Sequence, residues 1–245
     1  MENEGAKDTW LSSRIKAGGS ASICAILGCG KPTMQAAGEG LASFHCRRHI
    51  EHRARHGSFF HRSYRASELA PYLKAATSYI APRLKTDPHI KDAVMRLALL
   101  LEQSPYEIAT RLRGLRAKVR ADIALGRLRK KGVKPERLLA VHLAITVLIE
   151  ESPGSHRVKE FRLVQVAKAL HRLASGYHRT WPHQDRNGRM VRIELHKCPR
   201  SSGRVLRIMG QRVEELCEWA TAQHAEGVLA LKVRRYGRHP ALPPA

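Results

Sequence analysis

The sequence predicts a mainly α-helical protein, in which a small cysteine- and histidine-rich module precedes a domain of five to six helices. Three of the five cysteines and five of the 14 histidines lie within residues 21–62. From about residue 66 onward, apolar residues recur at spacings of three and four, which is the period of a helix buried on one face. Aromatic residues make up only 5% of the chain, which disfavours a β-sheet that presents exposed Phe and Tyr side chains.

Length and composition exclude several classes of protein. A chain of 245 residues with 43% hydrophobic residues can bury a core in one or two domains and is not a disordered tail. Its most apolar stretch, Leu139–Ile149, is too short to span a bilayer. The acidic start Met1-Glu2-Asn3-Glu4 lacks the apolar segment of a secretion signal. We therefore expect a cytoplasmic protein without a membrane partner, whose cysteines are metal ligands or free thiols rather than disulfides.

Changes in pattern along the chain predict four segments. Residues 1–20 are polar and contain glycines, so we expect a flexible arm. Residues 21–62 form the cysteine- and histidine-rich module, and residues 66–236 form a basic, all-α domain. Residues 237–245 follow the last helical pattern and are expected to be a frayed tail.

Local signals place the first helices of the larger domain. A modest helix is expected from Ser67 to Leu84, with Pro71 in its first turn. Asp87 can accept hydrogen bonds from the first N–H groups of the next helix, which has Pro88 at its first position. The face that this helix buries is predicted by an apolar stripe of four residues: Ile90, Val94, Leu97 and Leu101.

A third helix is predicted from a capping box. The sequence Ser104-Pro105-Tyr106-Glu107 places a hydroxyl three residues before a carboxylate, the usual start signal of a helix. We expect this helix to run to about Lys131, with a bend at Gly126. Its core face would be shared by five apolar residues at helical spacing: Ile108, Leu112, Leu115, Val119 and Ile123.

The remaining elements follow from apolar runs and breaks. Pro135 opens a helix to Glu151 that is apolar on nearly all sides, which predicts the central helix of the core. His142 in that helix and Cys217 in the last one are expected to be buried core groups. Four further elements are expected: a helix from a cap at Ser155 to about Ser175, a polar loop over 176–188, a short strand from Met190 to Leu195, and a long helix from Gly203 to Tyr236.

The sharpest motif in the chain is Cys24-x4-Cys29-x16-Cys46-x2-His49. Zinc takes four Cys or His ligands in a tetrahedron, commonly as two close pairs separated by a loop. Gly28 gives the backbone freedom beside the second thiolate, and one helical turn separates Cys46 from His49. These four residues are therefore predicted to hold a structural zinc ion, since no coordination position stays open. Spacing favours His49 as the fourth ligand, and three other histidines nearby are alternatives: His45, His52 and His56.

This segment resembles small zinc-binding modules of phage and bacterial DNA-associated proteins, some of them HNH-type endonucleases. The resemblance covers residues 24–57 and implies a treble-clef or zinc-knuckle-like fold. Four residues between Leu41 and Cys46 make this sequence longer there than the pattern of those modules. The shared elements are the Cys24/Cys29 knuckle, Gly40-Leu41, the Cys46/His49 pair, Arg53 with Arg55, and Gly57.

The charge of the chain is the main clue to a partner. It carries 44 Lys+Arg against 21 Asp+Glu, a formal net charge of +23. The isoelectric point near 10.6 exceeds the value of about 9 that is typical of nucleic-acid-binding domains. Arginine outnumbers lysine, 30 to 14, and its planar fork suits paired bonds to phosphate oxygens. DNA or RNA is therefore the expected partner, and an acidic protein is the alternative.

Two segments concentrate this charge. A short helix from Arg47 to His56 would present arginines outward, directly after the second ligand pair. Residues 111–131 hold nine basic residues and one acid, Asp122, and like charges this close repel each other unless an anion binds. Nucleic-acid contacts are predicted for thirteen residues: Arg47, Arg48, Arg53, Arg55, Arg111, Arg113, Arg116, Lys118, Arg120, Arg127, Arg129, Lys130 and Lys131.

These patterns favour a nucleic-acid-binding zinc protein of prokaryotic or phage type, with an accessory or regulatory role at the nucleoid or in a nucleoprotein complex. The sequence lacks a nucleophile elbow and a phosphate-binding glycine loop, so no catalytic residue is assigned. One alternative is a metal-dependent, HNH-like nuclease, with Asp185 and His196 as ligands and His183 as base. The other is a basic scaffold subunit of a larger nucleoprotein or protein complex.

Overall fold

The computed structural model describes residues 22–34, 41–105, 112–153, 158–174, 178–196 and 203–242. The chain divides between Arg53 and Ala54 into two compact units. The predicted arm over residues 1–20, the Ser155 cap and Cys198 lie outside the described residues. Among the described residues, no helix is long and apolar enough to cross a membrane.

The N-terminal unit has little regular structure. Ile23 and Pro32 form an isolated antiparallel bridge, which closes the loop that carries the first two cysteines. Two helices follow, α1 over Leu41–Phe44 and α2 over Arg47–His56. Helix α2 begins in this unit and its last turn belongs to the next one. The Cys/His cluster described below gives this unit the character of the small metal-binding module that the sequence predicts.

The C-terminal unit is helical, so the predicted mainly-α fold class is confirmed. The one hairpin that the structure describes joins strand β1, His178–Gln184, to strand β2, Met190–His196. Its helices are α3 Ala66–Ile80, α4 Pro88–Gln103, α5 Ala117–Lys130, α6 Pro135–Glu151, α7 Lys159–Ala174 and α8 Gly203–Tyr236. The predicted bounds of α6 and α8 are confirmed, and α3 extends through a 3-10 turn at Ala81–Arg83.

Helix α6 is the centre of this unit. Every side chain from Leu138 to Ile149 is buried, because α3, α4, α7 and α8 pack around it. A helix that is apolar on all sides must be enclosed in this way to remove its surface from water. The sequence prediction of a central core helix is therefore confirmed. Cys217 on α8 is also fully buried, as expected.

The start of α4 shows why some helix boundaries are readable from sequence. The Asp87 carboxylate accepts hydrogen bonds from the backbone N–H groups of His89, at 3.0 Å, and Ile90, at 3.1 Å. Pro88 occupies the first helical position, where no N–H is needed. Ile90, Leu97 and Leu101 are buried along the predicted stripe. The cap and the proline lie within the first turn, so they favour a helix start whatever the helix packs against.

The predicted helix from Ser104 to Lys131 is wrong. Ser104 caps the end of α4 instead: its buried hydroxyl donates to the carbonyl of Leu100 at 2.6 Å. Leu112–Gly114 is a 3-10 turn, and α5 begins only at Ala117. Residues 106–111, over which the capping box would act, lie outside the described residues. Ile108 lies outside the described residues.

The later start of α5 also changes its buried face. Ile123 is buried as expected, but Val119 is 37% exposed, so its assignment to the core face is wrong. The helix is continuous through Gly126, where a bend was expected. A Cβ atom at Gly126 would overlap the carbonyl of Pro105. The glycine therefore serves close packing rather than a bend.

The predicted polar loop over 176–188 is wrong for most of its length. Residues 178–184 form strand β1, paired antiparallel with β2, and the pairs run from His178–His196 to Gln184–Met190. The predicted strand at Met190 is confirmed. The Asp185 carboxylate closes the turn, accepting from the N–H groups of Asn187 and Arg189, each at 2.9 Å. This oxygen is committed to the turn, which weighs against its proposed use as a metal ligand. The side chain of His196 lies outside the described residues.

A salt-bridged cluster closes the end of α6. Glu151 accepts from Lys232 at 2.5 Å and from the Tyr72 hydroxyl at 2.6 Å. Its other oxygen accepts the backbone N–H of His239 at 2.7 Å. Although burial opposes ionisation, these donors lower the pKa of Glu151. Residues 237–242, expected to be a frayed tail, are thus bonded back to the core.

His142 is the second polar group inside the core. It bonds Thr221 through Nδ1 and Glu214 through Nε2, both at 2.8 Å. Arg162 donates to the second oxygen of Glu214. Burial alone would raise the pKa of Glu214, but the hydrogen bonds and charges of His142 and Arg162 lower it. The expectation that His142 is a satisfied buried group is confirmed.

The cluster predicts an acid-sensitive core. Since the folded-state pKa of Glu214 lies below the unfolded value of about 4.3, its stabilisation is complete above that pH and is lost as pH falls through the folded pKa. Glu214→Gln should lower the free energy of unfolding by about 3 kcal/mol near neutral pH. It should also make that free energy fall less steeply as the pH is lowered, and urea unfolding at several pH values measures both effects. Exposed Glu215→Gln is the control, with little effect expected. Equal acid sensitivity of Glu214→Gln and wild type would contradict this account.

Candidate metal centre

The first ligand pair lies on a tight knuckle. The N–H of Cys24 donates to the carbonyl of Lys31 at 2.9 Å, and the N–H of Cys29 donates to that of Ile26 at 3.0 Å. Gly28 between them has a φ of +74°, a conformation that residues with a Cβ atom rarely adopt. The expected role of Gly28 is confirmed. The turn brings both thiols to the same side of the loop.

The second ligand pair is set by the start of α2. Cys46 immediately precedes the helix, and its carbonyl accepts the N–H groups of His49, at 3.0 Å, and Ile50, at 3.1 Å. One turn of helix therefore separates Cys46 from His49, as the spacing predicts. The two pairs are joined by backbone bonds, since the N–H of Ala25 donates to the carbonyl of Phe44 at 2.8 Å.

The four ligand atoms converge on one point. The Sγ atoms of Cys24 and Cys46 each lie 3.4 Å from Nδ1 of His49, and the Sγ atoms of Cys29 and Cys46 are 3.7 Å apart. All four atoms lie within 4.8 Å of one another. A tetrahedral zinc ion would separate two sulfurs by about 3.8 Å, and a sulfur and a nitrogen by about 3.6 Å. The cluster can hold a metal ion, and its dimensions are compatible with zinc.

The thiols are also electrostatically prepared for a cation. Burial opposes ionisation of Cys24, but the N–H groups of Cys46 and Ile26, with the side chains of His49 and Cys29, lower its pKa to about 6. The N–H of Lys31 lowers the pKa of Cys29, but burial and the neighbouring thiols outweigh it, so the pKa of Cys29 is raised overall. The Cys24 thiolate thus forms readily, and a positive charge among the sulfurs would favour the thiolate of Cys29. A divalent cation supplies that charge.

The centre takes the place of a hydrophobic core in the N-terminal unit. Within the described residues 22–34 and 43–53, the buried side chains are those of Cys24 and Cys46. Larger apolar side chains of this unit are exposed: Ile23, Leu27, Met34 and Phe44. A unit that buries so little apolar surface cannot offset its loss of chain entropy by burial. Metal ligation is the physical alternative, as in other small metal-dependent modules.

Of the four histidines near the cysteines in sequence, the structure brings His49 to the thiols. Nδ1 of His56 instead accepts from the backbone N–H of Ser63 at 3.0 Å and lies 2.9 Å from its hydroxyl. His45 and His52 stand outside the group of four convergent residues.

The basic residues predicted on α2 lie on a helix without buried side chains. Arg47 is 79% exposed and pairs with Glu51 at 2.9 Å. Arg48 and Arg55 are exposed, and Arg53 is half-buried. The metal ligands Cys46 and His49 lie at the start of this helix. The exposed arginines are thus presented by a helix that the metal centre holds at one end.

The second basic segment is shorter than expected, because α5 begins at Ala117. Its one acid, Asp122, is paired with Arg212 of α8 and does not offset the cations of α5. Arg111 and the side chain of Arg113 lie outside the described residues. Arg120 and Arg127 are half-buried, and five other predicted residues are exposed: Arg116, Lys118, Arg129, Lys130 and Lys131.

Lys134 and Arg137, which follow Lys131 along the turn from α5 into α6, are two basic residues that the helical pattern of residues 111–131 does not include. The structure places all three around one cleft of the C-terminal unit. They stand three residues apart, but Lys131 and Lys134 lie in the turn and Arg137 lies in α6, so they belong to no single helix face. Helical periodicity in the sequence therefore does not group these three residues.

Comparison of the chain with models of known families, with curated proteins and with solved structures finds no match. The likeness of residues 24–57 to small phage and bacterial zinc modules therefore stays a prediction. The function is inferred below from the metal centre and from the positions of charged side chains.

Removal of one ligand should abolish metal binding. We expect protein from zinc-supplemented cultures to carry about one zinc ion per chain, and Cys46→Ser to carry less than about a tenth of that. Elemental analysis by mass spectrometry measures both. Cys217→Ala is the matched control, because burial and the charge of Glu214 raise the pKa of this core thiol and it takes no part in the centre. Full metal content in Cys46→Ser would refute the assignment.

Proposed function

We propose that this protein binds nucleic acid and that a structural zinc ion holds one of its binding elements in place. Three thiolates and one imidazole suit zinc and fill its four positions, leaving none for water or substrate. The ion then has a structural role, and we assign no catalytic residue. The polymer is contacted mainly through its phosphates by exposed arginine and lysine side chains.

The main support for this proposal is that helix α2 has no buried side chain and is rich in arginine. This ten-residue helix contains four arginines and has no buried side chain. A helix of that length is marginal in water without tertiary support, and the ligands Cys46 and His49 at its start supply that support. A helix fixed at its start offers the exposed arginines Arg47, Arg48 and Arg55 to a partner. Its arginines favour a polyanion as that partner.

The charge of the rest of the chain supports the same class of partner. The net charge of +23 creates a long-range positive potential that steers anions toward the molecule. On α5 the exposed cations Lys118, Arg129 and Lys130 accompany those of α2. We propose an accessory or regulatory role in DNA or RNA transactions, at the nucleoid or within a nucleoprotein complex of the cytoplasm. A phage-type or mobile-element origin agrees with the likeness of residues 24–57.

Salt dependence of binding tests the proposal. We expect zinc-loaded protein to bind labelled duplex DNA, single-stranded DNA or duplex RNA with a log–log salt slope of about −0.9 per phosphate contact on duplex DNA. The double variant Arg48→Gln/Arg55→Gln should reduce the magnitude of that slope by about 2, because two contacts are lost. Fluorescence anisotropy at several salt concentrations gives the slopes.

A charge-matched control separates contacts from net charge. Arg204→Gln/Arg235→Gln removes the same charge from exposed positions of α8, and its slope should stay near that of wild type. Absence of salt-dependent binding to all three polymers would overturn the proposal. The basic surface would then belong to a protein partner, which is the scaffold alternative.

A further inference from the structure

A cleft of about 520 Å³ opens in the C-terminal unit between the end of α3 and the turn that joins α5 to α6. Its volume falls within the range of about 300–1,000 Å³ that is typical of pockets for small ligands. Its walls are the end of α3, the start of α6 and Leu173 of α7, and both α3 and α7 pack on α6. It therefore offers a preformed site.

The floor of the cleft is aliphatic. Ile80 and Ala140 are buried, while Leu84, Val133 and Leu173 are partly buried against the core. A flat apolar group can lie on such a surface, as extruded nucleobases do on apolar and aromatic side chains. The floor alone would suit many apolar ligands, and the residues at the rim of the cleft indicate which class of ligand fits.

The rim of the cleft is cationic. Lys131 and Lys134 are exposed there, and Arg137 is half-buried, with its guanidinium 3.4 Å from the Thr77 hydroxyl. Three cations around an apolar floor complement a ligand that joins a flat apolar ring to an anion. A nucleotide has this composition, since its base is planar and its phosphate is negative.

Glu136 adds a specific acceptor to the lining. Its Oε2 atom is buried, and no described residue donates a hydrogen bond to it. That oxygen is closed to solvent as the side chain stands, so a ligand reaches it when the Glu136 side chain turns toward the cleft. A donor on the ligand would then satisfy an oxygen that is otherwise buried without one. Exocyclic amino groups of cytosine, adenine and guanine are such donors, whereas thymine and uracil carry a carbonyl oxygen in place of the amino group and donate only from ring N3.

We infer that this cleft binds one unpaired nucleotide of a single strand, with an amino-bearing base on the aliphatic floor, its amino group donating to Glu136, and its phosphate among the three cations. In a duplex that amino group is paired and the base is stacked, so the site selects single-stranded polymer or an extruded base. This inference rests on the proposed function and names the form of polymer that the larger unit recognises.

Base preference tests the inference. Fluorescence anisotropy with labelled dC12 and dT12 should give wild-type protein about tenfold tighter binding to dC12, the effect of one charge-assisted hydrogen bond. Glu136→Met removes the acceptor and should bring the ratio of the two dissociation constants to about one. Glu218→Met removes the same charge from an exposed site on α8 and should leave the ratio unchanged.

A second variant tests the cleft without altering Glu136. Ala81 is exposed and lines the cleft, so Ala81→Phe should fill its mouth and lower affinity for dC12 about tenfold, with unchanged helical circular dichroism. Salt-dependent binding with a wild-type ratio of one, or a ratio that Glu136→Met does not change, would overturn the inference and leave the proposed function intact. Failure of wild-type protein to bind either strand, or duplex, would instead refute the proposed function.

Discussion

Convergence of three thiols and one imidazole is the constraint on which the N-terminal unit depends. The described part of this unit buries two cysteine side chains and exposes Ile23, Leu27, Met34 and Phe44. Apolar burial cannot offset the chain entropy lost by ordering such a segment. A metal ion bound by the four convergent side chains would supply that energy and would join the knuckle to the start of α2. The chemistry of the cluster would then fix the first turn of the arginine-bearing helix.

The C-terminal unit is stabilised in a different way. Helix α6 is enclosed on all sides, and two polar clusters, around Glu214 and Glu151, satisfy the charged groups that packing has buried. Both carboxylates are held ionised by donors from other helices. This core positions the α5–α6 turn and the end of α3, whose surfaces form the cationic cleft. Basic side chains are therefore carried both by this packed helical core and by a helix that begins at the candidate metal centre.

Local signals in the sequence were sufficient for much of this structure. Asp87-Pro88 and Pro135 mark helix starts because capping and proline act within one turn, and the ligand pairs are close in sequence. The failures concern non-local interactions. Strand β1 exists through its pairing with β2, and the close approach of the Pro105 carbonyl explains why Gly126 serves packing rather than a bend. The cleft around Glu136 unites residues from four elements, which no spacing rule could assemble.

The central claim is that metal ligation holds α2 in place for its partner. Amide hydrogen exchange of the zinc-loaded and chelator-treated protein tests it most directly. Removal of zinc should abolish protection over residues 50–53, whose N–H groups close the first turns of α2, while the amides of α6 stay protected. Unchanged protection of residues 50–53 after complete loss of the metal would contradict the account.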